Sequence, residues 1–209
     1  MDREVSPSRN QRLCAALIAL IALGSITLQF TLRTMDGQEW SEASWGMAQY
    51  FTILTNLLVG LSFALIASGR KLGTAYLLAL TSAILGVGLV YHIALAHLNN
   101  PVGLGIWADH GVHTAAPALT MIWFLAFTPE DELDWRHVPL AMVWPVAYTA
   151  YALPRGMWEG TYPYFFLDAN ELGIVEIIVN LIGLSLFFIS LAAFLVFAVR
   201  LRGGRLSPG

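Results

Sequence analysis

The stretch Gln49-Tyr50-Phe51-Thr52-Ile53-Leu54-Thr55-Asn56 sits inside a long apolar run, Trp45 to Ser68, where a hydroxyl or an amide has no water to satisfy it. Thr52, Thr55 and Asn56 stand at i, i+3 and i+4, so on a helix they share one face. A membrane helix rarely carries such a face unless a partner or a cavity lies opposite. What the rest of the chain places across from it decides both the fold and the chemistry.

The 209 residues are 57% hydrophobic and only 12% charged, with a mean hydropathy of +0.65. A soluble domain carries about 25% charged residues. Apolar runs of ~18 residues or more recur along the chain, which marks an integral membrane protein rather than a soluble domain with a large core. The predicted fold class is all-α: a single domain over residues 1–209, a bundle of six transmembrane helices. The spans fall at about 12–32, 45–68, 74–97, 107–128, 138–153 and 172–199. The fifth is short and holds Pro139 and Pro145, with Pro154 just after it; neighbouring helices can satisfy the carbonyls that proline frees. Leu13 to Leu32 is long for the apolar part of a signal peptide and lacks a small-x-small cleavage site, so it reads as a retained first span.

A net charge of −3 with no basic tract gives no reason to expect nucleic acid. The single cysteine, Cys14, excludes an internal disulfide and makes a cysteine-based metal site an unexpected feature. Lys and Arg placement sets orientation. Arg3, Arg9, Arg12, Arg70, Lys71, Arg136, Arg200, Arg202 and Arg205 fall on one side of the six-span arrangement, and only Arg33 and Arg155 on the other. Both termini are therefore expected in the cytoplasm, with Trp40, Trp45, Trp107 and Trp158 at the outer interface and Trp135 at the inner one.

Counting depth along the helices collects the intramembrane polar groups in one layer. Thr52 comes out roughly 10 Å deep, His110 and His113 roughly 5 and 9 Å, and Glu176 and Asn180 roughly 6 and 12 Å. Tyr91 and His92 reach about the same level on the third span, and Tyr148 and Tyr151 end the fifth. Five helices thus bring ionisable or hydrogen-bonding groups to the outer leaflet, while the inner halves carry almost none. Each residue has an ordinary reading when taken singly. Thr52 could be a packing residue, Asn56 interhelical glue, His110 a solvated interfacial residue, and Tyr148 and Tyr151 belt aromatics. Asp109 and His97 read as loop-edge residues. An ionisable group as deep as His113 or Glu176 is a functional hypothesis by default.

A histidine is the usual general base near neutral pH, and a hydroxyl is a poor nucleophile until such a base takes its proton. Thr52 with His113 would suit an acyl ester presented from the lipid phase, with neighbouring amide or imidazole groups steadying the oxyanion. Other chemistries use the same residues. His92, His110, His113 and Glu176 could ligate a metal, and two histidines on different helices could clamp a haem. A non-catalytic transporter or lipid-binding protein would need only the polar pocket, although no inverted repeat supports a transporter.

Four elements together resemble one family. They are Tyr50-Phe51-Thr52, His110-Gly111-Val112-His113-Thr114, Gly156-Met157-Trp158, and Tyr162-Pro163-Tyr164-Phe165-Phe166-Leu167. In order and spacing the chain resembles, over nearly its whole length, the androgen-induced protein / androgen-dependent TFPI-regulating protein family, with its bacterial Pro-six-transmembrane-Pro relatives. Animal members are intramembrane threonine hydrolases that cleave fatty acid esters of hydroxy fatty acids. The resemblance implies Thr52 as nucleophile, His113 as catalytic histidine, no metal or cofactor, a lipid or fatty acyl ester substrate and a bacterial plasma-membrane location. Ile53-Leu54-Thr55-Asn56 follows the bacterial pattern rather than the animal one, which carries an acid in this turn. Thr55 is therefore a rival nucleophile, and the animal substrate need not carry over. Asn56, Tyr91, His92, His110, Glu176 and Asn180 are expected as supporting or substrate-binding groups. The aromatic-rich stretch 156–167 is expected to act as a lid or lateral gate. The oligomeric state is open.

Overall fold

The computed structural model describes residues 6–206, the side chains of 204–206 excepted. Arg3 and the Arg205 side chain, both counted in the charge bias, lie outside the described residues. Helix α1 (Arg9–Met35) starts at a reciprocal cap: the Ser8 hydroxyl accepts from the Gln11 N–H, and the Gln11 side chain accepts from the Ser8 N–H. Its buried stripe is Ala15, Ile18, Ala19 and Ala22. Small residues there let it lie close against α3 (Phe51–Ala67), where a Cβ at Gly60 would overlap Leu23 of α1. In hydrocarbon no apolar transfer energy drives helices together, so such close van der Waals packing has to hold them.

The chain continues through α4 (Thr74–Val90), which runs without a break into a π-helical turn at Tyr91–Leu95. Next come α5 (Leu104–His110), a second π-helical turn at Gly111–Ala115, and α6 (Ala116–Phe127). A 3-10 segment, Trp135–Met142, leads into α7 (Val143–Glu159), and α8 (Ile174–Leu206) closes the chain. No strand occurs among the described residues. Helices α1, α3, α4, α6 and α8 share one core, with Phe63, Ile66, Leu78, Ile84, Phe124 and Leu195 wholly enclosed. The outward faces are also apolar: Leu13, Leu17 and Leu20 on α1, and Ile182, Leu186, Phe194 and Phe197 on α8, are exposed. Faces this apolar fit lipid as the surrounding solvent.

Three helical stretches are each long and apolar enough to cross a membrane: Arg9–Met35, Thr74–Leu98 and Ile174–Gly203. A fourth candidate is a bent pair, and here the sequence reading is corrected. The run from Trp45 to Ser68 is not one straight helix: α2 (Trp40–Ala48) meets α3 at 94° across Gln49 and Tyr50. Thr52 therefore stands in the first turn of α3, and its depth cannot be counted along a helix from Trp45. The regions expected as spans four and five are helical, but they are not among these candidates. The straight part of α6 has only 12 residues. It follows a turn crowded with polar side chains, and the fifth region begins in a 3-10 segment around Pro139.

The bend has a physical cause in α7. The last carbonyls of a helix lack intrahelical partners, and α7 supplies donors to those of α2. Tyr148 Oη donates to Gln49 O at 2.6 Å, Tyr151 Oη to Ala48 O at 3.1 Å, and Arg155 Nη2 to Trp45 O at 2.8 Å. The Arg155 guanidinium also lies 4.1 Å over the Trp45 ring and donates to Tyr151 and Glu159. Its burial on its own would lower its pKa, but the bonds to Tyr151 and Glu159 more than offset this, so it is held above its usual value. A cation at a helix C-terminus also opposes the helix dipole favourably. Tyr148 and Tyr151 are thus structural donors rather than mere belt aromatics.

Arg12, Lys71, Arg200 and Arg202 gather at the opposite end. Arg12 Nε donates to Ala67 O at 2.9 Å, Arg200 Nη2 to Leu133 O at 3.1 Å, and Arg202 to the carbonyls of Leu125 and Thr128. Lys71 pairs with Glu132 at 2.7 Å. The half of the bundle nearer that end is less empty of polar groups than expected. Ser62, Thr81, Ser82 and Thr120 are all buried there, although none of them is ionisable.

Candidate functional site

The two π-helical turns face each other and carry Tyr91, His92, His113 and Thr114. A π turn adds a residue to the helix and shifts which side chains meet a neighbour. The Tyr91 and His113 rings stack at 3.7 Å between centroids and 7° between planes. One position further along each turn, His92 Nε2 lies 2.9 Å from Thr114 Oγ1. His110 Nδ1 approaches the same hydroxyl at 3.4 Å. Two close backbone approaches position the turn that carries His113. A Cβ at Gly111 would overlap the Ser25 hydroxyl of α1, and one at Gly88 would press on His113 O and the Pro117 ring.

Asp109 is the hub of this cluster, not a loop-edge residue. It is only 5% exposed. Tyr91 Oη donates to its Oδ2 at 2.6 Å, Asn99 Nδ2 donates to Oδ1 at 2.9 Å, and His113 Nδ1 lies 3.1 Å from Oδ1. His113 Nδ1 is also 3.1 Å from the backbone carbonyl of Asp109. Two acceptors at one ring nitrogen place the proton there, which leaves Nε2 as the acceptor of a neutral imidazole. The i, i+4 spacing of Asp109 and His113 is visible in the sequence and could have flagged the pair. Nothing in the sequence could have flagged Asn99, which arrives from the loop after α4.

Asn56 connects this cluster to α3. It is fully buried, and its amide donates to Thr52 O at 2.9 Å and across to Val112 O at 3.1 Å. Its Oδ1 has no hydrogen-bond partner among the described residues. Thr52 and Asn56 thus stack one turn apart, beside the residue that precedes His113. Among the described residues, no hydrogen bond joins Thr52 to His113 directly.

Thr52 instead opens onto a cavity of about 500 Å³ formed by α3, α4, α7, α8 and residues 164–167. Its hydroxyl lies against the Tyr164 phenol. The first intrahelical bond of α3 is Leu54 N–H to Tyr50 O, which leaves the N–H groups of Phe51 and Thr52 free of helix partners. Both approach the Tyr164 oxygen, and that of Phe51 also approaches Tyr148. Burial pushes the Tyr164 phenol up to about 12, so it stays protonated at neutral pH. The loop that carries Tyr164 is set by α7's end. Gly160 takes a left-handed conformation (φ 74°), Tyr162 packs its ring where a Cβ of Gly156 would be, and Asn170 Nδ2 donates to Gly160 O at 2.9 Å. Tyr164, Phe166 and Leu167 then line the cavity.

The remaining expected residues lie elsewhere. Thr55 is buried away from the cavity and accepts from Trp144 Nε1 at 2.8 Å. Glu176 is exposed in the first turn of α8 and does not join the cluster; counting along α8 gave its depth but not its direction. Asn180 donates to Phe166 O at 2.9 Å, tying α8 to the loop over the cavity. His92 and His110 are exposed on the rim of the cluster. His97 is exposed on the turn after α4. Among the described residues, no three His, Cys, Asp or Glu side chains converge as a metal site would require.

No family model, no curated protein and no solved structure matches this chain.

Proposed function

We propose that the chain is an intramembrane hydrolase of lipid-like acyl esters, with Thr52 as nucleophile, His113 as general base and Asp109 holding the imidazole. The observation that carries this reading is how the hydroxyls of the cavity wall are used. Thr149 donates to Pro145 O and Ser185 to Leu181 O, each on its own helix. Thr52 turns instead toward the polar end of the cavity and the Tyr164 phenol. A hydroxyl not spent on its own helix, one turn from an Asn56 that bonds the residue preceding the buried His113, supplies the elements nucleophilic catalysis uses.

In the proposed reaction Thr52 Oγ attacks the ester carbonyl carbon while its proton passes to His113 Nε2. The oxyanion is met by the free N–H groups at the start of α3 and by the Tyr164 hydroxyl. The ester C–O bond then breaks, and His113 returns its proton to the departing alcohol. Water cleaves the acyl-threonine through the same base, releasing the fatty acid and restoring the Thr52 hydroxyl. Thr52 and His113 must close on each other when substrate binds, a tightening common in catalytic pairs that stand apart in the free enzyme.

The same reading takes the chain as six spans in a bacterial plasma membrane, with both termini and the Arg12–Lys71–Arg200–Arg202 end in the cytoplasm. The site then opens in the outer leaflet. The family resemblance of the Tyr-Phe-Thr and His-Gly-Val-His-Thr elements supports the reaction class. A fluorophosphonate probe should label the detergent-purified protein, and Thr52→Ala and His113→Ala should each abolish labelling. Thr55→Ala should keep it, because Thr55 is engaged with Trp144. Labelling that survives Thr52→Ala but is lost in Thr55→Ala would exchange the roles of the two threonines. Unlabelled wild-type protein that retains a bound lipid through purification would instead favour a lipid-binding protein.

A further inference from the structure

Thr52 and the Tyr164 phenol meet at one place in the cavity wall, and the rest of the cavity is a long, largely apolar body. Met142 and Leu153 both line that body, so it extends roughly 15 Å along α7. The Phe188 ring forms part of its wall and rests on the backbone of Gly86, where a Cβ would overlap it. The wall offers a ligand no free hydroxyl, because Thr149 and Ser185 are both bonded to their own helices. Helices α7 and α8 supply opposite walls and each packs on α4, yet they make at most marginal contact with each other. Along the seam between them, Val146 of α7 is 57% exposed, and it lines the cavity as well. A seam of this kind in a hydrocarbon layer admits lipid and excludes water.

We propose that the seam between α7 and α8 is a side portal, and that the cavity behind it holds one unbranched acyl chain with its carbonyl end at Thr52. The inference rests on the proposed reading of Thr52 for the direction in which the chain lies, but occupancy by a chain can be tested without catalysis. The volume, about 500 Å³, falls in the range of pockets for single small ligands, about 300–1,000 Å³. The polar groups of the wall not bonded to backbone carbonyls, Thr52 and Tyr164, lie together, as a single-chain amphiphile requires. Gly86 seats the Phe188 ring: a larger residue there drives the ring into the cavity and shortens the chain that fits.

The test uses a sixteen-carbon fatty acid carrying a diazirine near its methyl end and an alkyne handle, photolysed with the intact protein in detergent and mapped by mass spectrometry. Label should fall on the α7 and α8 walls, in Thr52→Ala as in the wild type. Free palmitate should compete, and diacyl phosphatidylcholine should not. Val146→Trp and Ser185→Trp, which face the seam from opposite helices, should each cut wall labelling about tenfold, in the range of a pocket that loses its fit. Ile182→Trp, on the lipid-facing side of α8, should leave it unchanged. Gly86→Val should shift competition toward shorter fatty acids. Label spread evenly over the lipid-facing sides of α1 and α8, insensitivity to both tryptophans, or equal competition by phosphatidylcholine would overturn the portal. Wall labelling without fluorophosphonate reactivity would keep the chain site and reject the hydrolase. Reactivity without wall labelling would do the reverse.

Discussion

Arg202 and Asp109 are both charged side chains on helices of one apolar bundle, and the chain treats them in opposite ways. Arg202 reaches the carbonyls of Leu125 and Thr128 at the end of α6, Arg12 donates to that of Ala67 at the end of α3, and Arg200 to that of Leu133 in the loop after α6. These groups complete helices and clamp one end of the bundle. Asp109 instead turns inward and gathers Tyr91, Asn99 and His113 from two π turns and a loop. Beside it the buried Asn56 leaves an acceptor unpaired and a cavity stands open. An unpaired buried acceptor costs about 1–3 kcal/mol, and a cavity costs packing. Polar groups that complete helices stabilise the bundle. A buried acceptor left unpaired and a cavity left unfilled both cost stability, and that expense is what a site for chemistry requires.

The comparison breaks most visibly if the two ends respond alike to substitution. Asp109→Asn should lower ester hydrolysis on the order of 10³-fold or more, because the imidazole loses the acceptor that fixes its tautomer. Arg202→Met should lower the melting temperature in detergent yet leave turnover per folded molecule nearly unchanged. Equal loss of turnover in both variants would remove the distinction. Arg155 tests a third arrangement, a buried ion used to hold a bend. Arg155→Met leaves the Trp45 carbonyl without its donor and the Glu159 carboxylate without its cation, and should cost about 3 kcal/mol, read by thermal unfolding. An unchanged melting temperature would mean that the bend does not depend on this residue.

Smaller effects sharpen the same contrast. Gly111→Val must push Ser25 away and should cost about 1–3 kcal/mol by overpacking. It should also lower turnover by more than the folded fraction explains, because the displaced turn carries His113. Wild-type turnover in the folded fraction would separate that packing contact from the site. The smallest effect is at Glu132. The Lys71 ammonium and then the Thr74 hydroxyl hold its carboxyl below the usual range. Its folded-state pKa is depressed, so the stabilisation is present above the unfolded value and fades as pH falls through the folded one. The pair is partly solvent-exposed, so the effect is a fraction of a kcal/mol. Glu132→Gln should flatten the acid side of the melting profile without changing hydrolysis at neutral pH.

How much of this was legible in the sequence depended on whether the cause was local. The third span, expected at 74–97, follows from hydropathy and helical period alone, and the helix found there starts at Thr74 and runs to Leu98; the first, expected from Arg12, starts one turn earlier at the Ser8 cap. The shared face of Thr52 and Asn56 was also readable, and one bonds to the other. The 94° bend was not readable, because its cause is a set of donors on α7 about a hundred positions later. Glu176 and Asp109 were misjudged in opposite directions for one reason. Distance along a helix gives depth, but which way a side chain turns depends on neighbours that no local window contains. Lys and Arg placement did foretell which basic residues share an end, since charge bias records where chain segments meet water.

By itself, therefore, the sequence determined an all-helical chain with helices apolar enough for lipid, and the gathering of Arg12, Lys71, Arg200 and Arg202 at one end. These follow from hydropathy, period and charge bias, which act within a few residues. Only the tertiary structure decided that α2 turns across α3, that Asp109 holds His113, that Thr55 faces Trp144 while Thr52 faces a cavity, and that α7 and α8 stand apart. Each of these rests on contacts between residues far apart in the chain, such as Arg155 with Trp45 and Asn56 with Val112. Such contacts exist only once the helices have packed.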